Sequence, residues 1–207
     1  MTMNPINLQK NEHLEERFSG MNPYQTVPCL RIIDTGEVIT ESGAILTYLS
    51  TLPGVEPVDG EVLQAATPLG QVRILEALLH HGTLARNVSE TQRPAINIRR
   101  SKPELTLADQ RAVAAKTFDE LKSSLWLLNS ILCRQSFIAG NEFTLADYMV
   151  AGEISRLSMF KALYPDAGAC LADYPHVLQY EEGLKSMAGY DAFVKPLENL
   201  VPFVAEQ

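Results

Sequence analysis

Thr26-Val27-Pro28-Cys29-Leu30, followed by Thr40-Glu41-Ser42-Gly43-Ala44-Ile45-Leu46, is the stretch whose reading decides the fold of this 207-residue chain. Proline donates no backbone hydrogen bond, so inside an apolar, strand-like run it belongs at a strand start, an edge or a bulge. Here Pro28 opens a strand and leaves the backbone of Val27 free to pair with a ligand. Between the two stretches, Ile32-Ile33 and Val38-Ile39 flank Asp34-Thr35-Gly36-Glu37 as a short hairpin. After it, Glu41 and Ser42 stand at the start of an apolar helix, where unpaired N–H groups favour an anion. The pair of stretches reads as a receptor for a small peptide that ends in an amino acid.

Working outward, residues 1 to 57 read as mixed α/β. Pro5 to Gln9 reads as a short strand and Leu14 to Ser19 as a turn of helix. Asn22-Pro23 forms a turn, and a helix runs from Ser42 to about Leu52. Pro53-Gly54-Val55-Glu56-Pro57-Val58-Asp59-Gly60 is a breaker cluster and marks a linker.

Residues 58 to 207 read as helical. The first helix is expected over Glu61 to Asn87, with Leu69, Val72, Leu75, Leu78 and Leu79 along one side. Pro94 to Pro103, with Arg99-Arg100, reads as a loop. A second helix starts at Thr106, with Asp109 completing a capping box. Its apolar positions Ala114, Phe118, Leu121, Leu125, Leu128 and Leu132 make a bundle stripe. In 137–147, Thr144 is the N-cap of a further helix, Asp147 returns to it, and Phe143 staples onto Tyr148. Another helix is expected from about Tyr174 to Met187, and the tail from Pro196 reads as irregular.

Composition narrows the function. A hydrophobic share of 46% suits an ordinary packed core, and a net charge of -8 with a pI near 5.0 argues against non-specific nucleic-acid binding. No apolar run approaches the roughly 20 residues of a membrane span. The first residues lack the basic and apolar regions of a signal peptide. Cys29, Cys133 and Cys170 are too widely spaced for a disulfide framework or a metal set, so the expectation is a reducing, cytoplasmic setting without a metal.

These motifs together resemble the cytosolic glutathione transferase superfamily. Asn22 to Leu30 is similar to that family's Asn-Pro-x-Gly-x-Val-Pro-x-Leu, and Glu41 to Leu49 to its Glu-Ser-x-Ala-Ile-x-x-Tyr-Leu. Phe137-Ile138-Ala139-Gly140 and Thr144-Leu145-Ala146-Asp147 resemble the capping box and staple of its helical domain. The resemblance spans about Ile6 to Val194. It implies a thioredoxin-like, α/β N-terminal domain over 1–57, followed by an all-helical bundle domain over 58–207. It implies a glutathione site at Thr26, Val27, Pro28, Glu41 and Ser42, with a cis bond at Pro28. Val27 would pair by backbone with the cysteinyl part, an instance of strand addition. Ser42 and the helix start would take the γ-glutamyl carboxylate, and Glu41 the ammonium side.

The chain departs from the family in one respect. The family's first strand and helix, with the Tyr, Ser or Cys that activates the thiol, would align before Met1, so the catalytic residue is unknown. Ile6-Asn7-Leu8 would match the family's second strand. Unpaired strands lose about 1–3 kcal/mol for each buried orphan group. Either the start is a truncated gene product, or a rearranged N-terminus, a partner chain or a looser half-domain fills the gap. Smaller departures are Gln25 in place of the common glycine, and Tyr180 where a Trp is frequent.

Other candidates carry competing readings. Tyr24 could donate to sulfur or be a surface turn residue. His80 and His81 lie on the helix that in the family lines the electrophile pocket; alternatively one is exposed and the other packs. Arg73, Arg86, Arg99, Arg100 and Lys102 read as solvated, Cys29 as a small buried apolar residue, and Trp126 has no assigned role. The leading expectation is an enzyme that conjugates glutathione to small apolar electrophiles, or uses it as cofactor for an isomerisation, as a homodimer. The alternative is a catalytically silent glutathione-binding or protein-interaction module.

Overall fold

The computed structural model describes residues 2–55, 61–83, 87–88, 90–92, 98, 102, 104–187 and 190. The chain forms two units, Met1–Glu56 and Pro57–Gln207.

In the first unit, the segment expected as a strand at Pro5 to Gln9 is instead a 3-10 turn over Leu8–Lys10, followed by a second over Glu12–Leu14. The reason is local. The Lys10 amide donates to Asn7 Oδ1 at 3.1 Å, and the Asn7 amide donates to Glu12 Oε2 at 2.8 Å. These side chains offer the backbone partners that a ladder would otherwise supply. Helix α1 follows over Glu16–Ser19 and buries Phe18.

Strands β1 (Leu30–Arg31) and β2 (Val38–Ile39) pair antiparallel, Leu30 opposite Ile39 and Arg31 opposite Val38. The first strand thus sits two residues earlier than the sequence suggests, and Ile33 is left exposed in the turn. That turn closes with Ile32 N–H to Glu37 O and Gly36 N–H to Ile32 O, both 2.8 Å, and its φ of +76° at Gly36 suits a residue without Cβ. Helix α2 covers Ser42–Leu49. It stops short of Leu52, because the hydroxyls of Ser50 and Thr51 donate to the carbonyls of Thr47 and Tyr48.

In the second unit, strand β3 (Glu61–Val62) pairs in parallel with β4 (Phe143–Thr144). Helix α3 therefore begins later than expected and covers Pro68–His81. Thr67 caps it, accepting from the Gly70 amide at 3.1 Å, and Pro68 takes the first helical position, where its missing N–H costs nothing. Gly70 cannot carry a side chain, since a Cβ would lie 2.5 Å from that of Ala65. The expected apolar stripe of α3 is also corrected. Ile74, Ala77 and His81 are buried, at spacings of three and four residues, while Leu69, Val72, Leu75 and Leu79 face outward.

Helix α4 (Leu107–Leu132) opens on the Thr106–Asp109 capping box and buries all six stripe residues. Helix α5 (Leu145–Leu163) opens on a second box, Thr144–Asp147, with the Phe143 and Tyr148 rings edge to face at 4.9 Å. A short helix α6 (Pro165–Gly168) and a 3-10 turn lead to α7 (Pro175–Lys185), which buries Val177, Tyr180, Glu181 and Leu184. Helices α3, α4, α5 and α7 share one core around Phe118, Leu125, Ile154, Phe160 and Val177. Trp126 lies outside it, 66% exposed. No helix among the described residues is long and apolar enough to cross a membrane. The loop expected at Pro94 to Pro103 and the tail from Pro196 lie, for the most part, outside the described residues.

Candidate functional site

The first unit delivers Val27 and Ser42 to one end of the β1–β2 hairpin. The pairing is antiparallel, so the residues entering β1 and those leaving β2 meet at the same end.

Asn22 sets the loop that enters this end. It is fully buried. Its Nδ2 donates to the Thr26 carbonyl at 2.7 Å, and its Oδ1 accepts from the Tyr24 amide at 3.0 Å. Its own carbonyl accepts from the Gln25 amide at 3.0 Å, and its amide donates to Phe18 O at 2.8 Å. Gln25 takes φ +56°, the left-handed region that a residue with a Cβ adopts at a cost. Glycine, which Gln25 replaces relative to the resembled motif, adopts that φ freely.

The peptide bond between Val27 and Pro28 is cis. Val27 is 40% exposed, and neither its N–H nor its carbonyl makes a hydrogen bond among the described residues. At α2, Glu41 occupies the N-cap in an extended conformation, but its side chain makes no capping bond. The first intrahelical bond is Ile45 N–H to Glu41 O, so the amides of Ser42, Gly43 and Ala44 are left to other acceptors. An open peptide edge thus precedes β1 and an uncapped helix start follows β2. They offer backbone pairing to an extended ligand and positive potential to its carboxylate.

Tyr24 is 71% exposed in the loop. Cys29 is half-buried, and burial pushes its thiol pKa up, away from thiolate character. His81 is buried in the α3–α5 packing, with Nε2 3.7 Å from Glu153 Oε1, and its neighbour His80 is exposed. Sequence reasoning missed Asn22 as the residue that holds the site loop. The available signal was Asn before Pro, because a short amide side chain readily bonds the backbone of its own turn.

In the second unit, Asp147 is fully buried and accepts from Ile138 N–H, Thr144 N–H, the Thr144 hydroxyl and the Tyr180 hydroxyl. Burial raises its pKa against the opposing pull of these donors. Tyr180, enclosed beside that carboxylate, is held far above the ordinary phenol value by burial first and by Asp147 second. Both groups therefore serve the fold.

Comparison with known proteins identifies the family. The model of the glutathione S-transferase N-terminal domain matches residues 2–52, and that of the C-terminal domain matches residues 91–184. The chain belongs to the cytosolic glutathione transferase superfamily. It is 28% identical to glutathione S-transferase 3 of Zea mays over 191 residues, covering 92% of this chain and 80% of that protein. It is also 28% identical to glutathione S-transferase D7 of Drosophila melanogaster over 198 residues, covering 93% and 81%. Among solved structures, a Bombyx mori glutathione transferase superposes with a TM-score of 0.72 at 22% identity, over 98% of this chain and 85% of that one. A delta-class glutathione transferase of Nilaparvata lugens gives 0.65 at 25% identity, over 92% and 79%. The fold is thus a thioredoxin-like N-terminal domain followed by a helical C-terminal domain, and the protein is glutathione transferase-like.

Proposed function

We propose that this chain binds glutathione along Val27 and transfers it to small apolar electrophiles, or uses it as cofactor for an isomerisation. The observation that carries the reading is the open Val27 peptide edge, with the uncapped start of α2 as its companion. The cysteinyl amide and carbonyl pair with Val27 across the edge. The γ-glutamyl carboxylate takes the amides and hydroxyl of Ser42, and Glu41 takes the ammonium. Thr26 and Pro28 shape the approach, and Tyr24, 71% exposed, is an exposed phenol three residues from Val27.

In the transfer, the glutathione sulfur attacks an electrophilic carbon and a C–S bond forms. The leaving group departs with its bonding electrons, and the thiol proton goes to solvent. Holding the thiol against its partner supplies proximity and orientation. A free thiol titrates near 8.5, so turnover at neutral pH calls for a donor that lowers that value. Retention on immobilised glutathione, followed by turnover of a chlorinated aromatic, tests the reading. Retention without turnover removes the transfer, and no retention removes both.

One observation favours a second reading, a silent glutathione-binding or protein-interaction module. The thiol closest to the site, Cys29, is pushed up rather than down. In that version, bound glutathione keeps an unperturbed thiol pKa.

A homodimer is part of the proposal. Leu69, Val72, Leu75 and Leu79 are each more than half exposed along one side of α3, an apolar stripe of the kind that self-association covers. Sedimentation of the chain against a Leu79→Glu variant checks it. A cytoplasmic setting is proposed from the three free thiols.

A further inference from the structure

The outward side of α3 carries a pair of charges as well as its leucines. Val72, Leu75 and Leu79 are exposed, opposite the buried Ile74, Ala77 and His81. Leu69 stands three residues before Val72 and Glu76 four after it, so both border Val72 on the helix surface. Arg73 lies further round, but its guanidinium reaches back, with Nη1 2.6 Å from Glu76 Oε2. Both charges therefore sit along one edge of the apolar stripe. The two side chains are 58% and 48% exposed, and among the described residues they have no other hydrogen bond or ion pair.

The stripe has a centre, and the charges are placed about it. Leu69 and Leu79 end it, and Ile74 marks its midpoint along the helix. Arg73 comes just before that midpoint and Glu76 just after it. A twofold axis across the stripe runs two copies of α3 antiparallel and keeps the same edge of each on the same side of the interface. Centred on the stripe, the axis sets Leu69 against Leu79 of the second copy. It also sets Arg73 against Glu76 of the second copy, and the contact occurs twice. A parallel pairing puts the charged edges on opposite sides, where neither meets its counterpart.

Within one copy, an exposed pair of this kind adds little to the fold. Between copies it acts by selection. A shifted register, or a partner helix without the matching charges, opposes like charges or leaves a charge against apolar surface.

We propose that Arg73 and Glu76 set the pairing of α3 with α3 of a second copy, antiparallel and centred near Ile74, and that they select this chain as its own partner. The proposal presupposes the homodimer and adds what fixes its register and its choice of partner.

The test is sedimentation equilibrium of the full chain and of Arg73→Glu, Glu76→Arg and the double swap. Arg73→Glu gives each copy two carboxylates at this edge, and Glu76→Arg gives each copy two cations. Each variant alone should self-associate about tenfold more weakly at low salt. Mixed in equal amounts, the two should pair with each other as tightly as the wild-type chain pairs with itself. The double swap should also regain wild-type self-association. High salt should narrow all these differences. Helix content by circular dichroism should be equal throughout, because both side chains are exposed. Wild-type self-association that the single variants leave unchanged would overturn the pairing while the homodimer stands. A loss that neither the mixture nor the double swap restores would do the same. A wild-type chain that stays monomeric would remove both.

Discussion

The Nδ2 of buried Asn22 donates to the carbonyl of Thr26 at 2.7 Å, and this one bond fixes the loop that brings Val27 to the open end of the hairpin. It removes the Thr26 carbonyl as a pairing group and leaves the next peptide as the free edge. Position, in this site, is set by a side chain that need not touch the ligand.

Asn22→Ala should therefore cost both stability and binding. It strands the Thr26 carbonyl and the Tyr24 amide, an expected loss of about 1–3 kcal/mol. Chemical unfolding of the first unit should show that loss, and a glutathione titration should show a weakened complex. Asn22→Asp keeps the acceptor for Tyr24 but removes the donor to Thr26, and should fall between.

Gln25→Gly should stabilise the chain. The φ of +56° is strained for a residue with a Cβ by about 1–2 kcal/mol, part of which the greater freedom of unfolded glycine offsets. A net gain of roughly 0.5–1 kcal/mol is expected from denaturant midpoints.

Ser42→Ala should weaken glutathione binding by about tenfold, the scale of one hydrogen bond to a charged group. Thermal unfolding should hardly change, because Glu41 and not Ser42 is the N-cap of α2.

Glu181→Gln should have a pH-dependent effect. The carboxylate Oε1 accepts from the Ser158 amide at 3.0 Å and its hydroxyl at 2.6 Å, joining α7 to α5. Burial, the largest influence, raises its pKa in the fold. The folded form thus prefers the protonated acid, and the stability this adds is present below the unfolded pKa and lost as pH rises through the folded one. At pH 7 the glutamine, neutral and still an acceptor, should be more stable by on the order of 1 kcal/mol. Below the ordinary glutamate value that advantage should vanish. Unfolding curves of both proteins across acidic pH decide it.

Much of the second unit was legible because its signals are local and redundant. The stripe from Ala114 to Leu132 has helical spacing, and both Thr-Leu-Ala-Asp segments have their caps written within four residues. Where a signal depended on partners, it misled. The Ile6 to Leu8 run has strand composition, yet Asn7 and Glu12 satisfy the backbone first. Leucines on α3 suggested its buried side, while the face that packs is Ile74, Ala77 and His81, since hydrophobicity alone cannot say which neighbour a helix meets. In the first unit, the cis bond before Pro28 and the helix start at Ser42 were readable from the motifs. Asn22 was readable only as a turn residue: Asn before Pro signals the turn, but not that its amide is buried and holds the loop.

The account stands or falls on the Val27 edge. The decisive measurement is amide hydrogen exchange by NMR on the full chain with and without glutathione. Exchange at Val27 should slow on saturation, and the Ser42 to Ala44 amides should shift with the same midpoint. Saturable glutathione binding that leaves Val27 and Ser42 unchanged, or no binding, would contradict it.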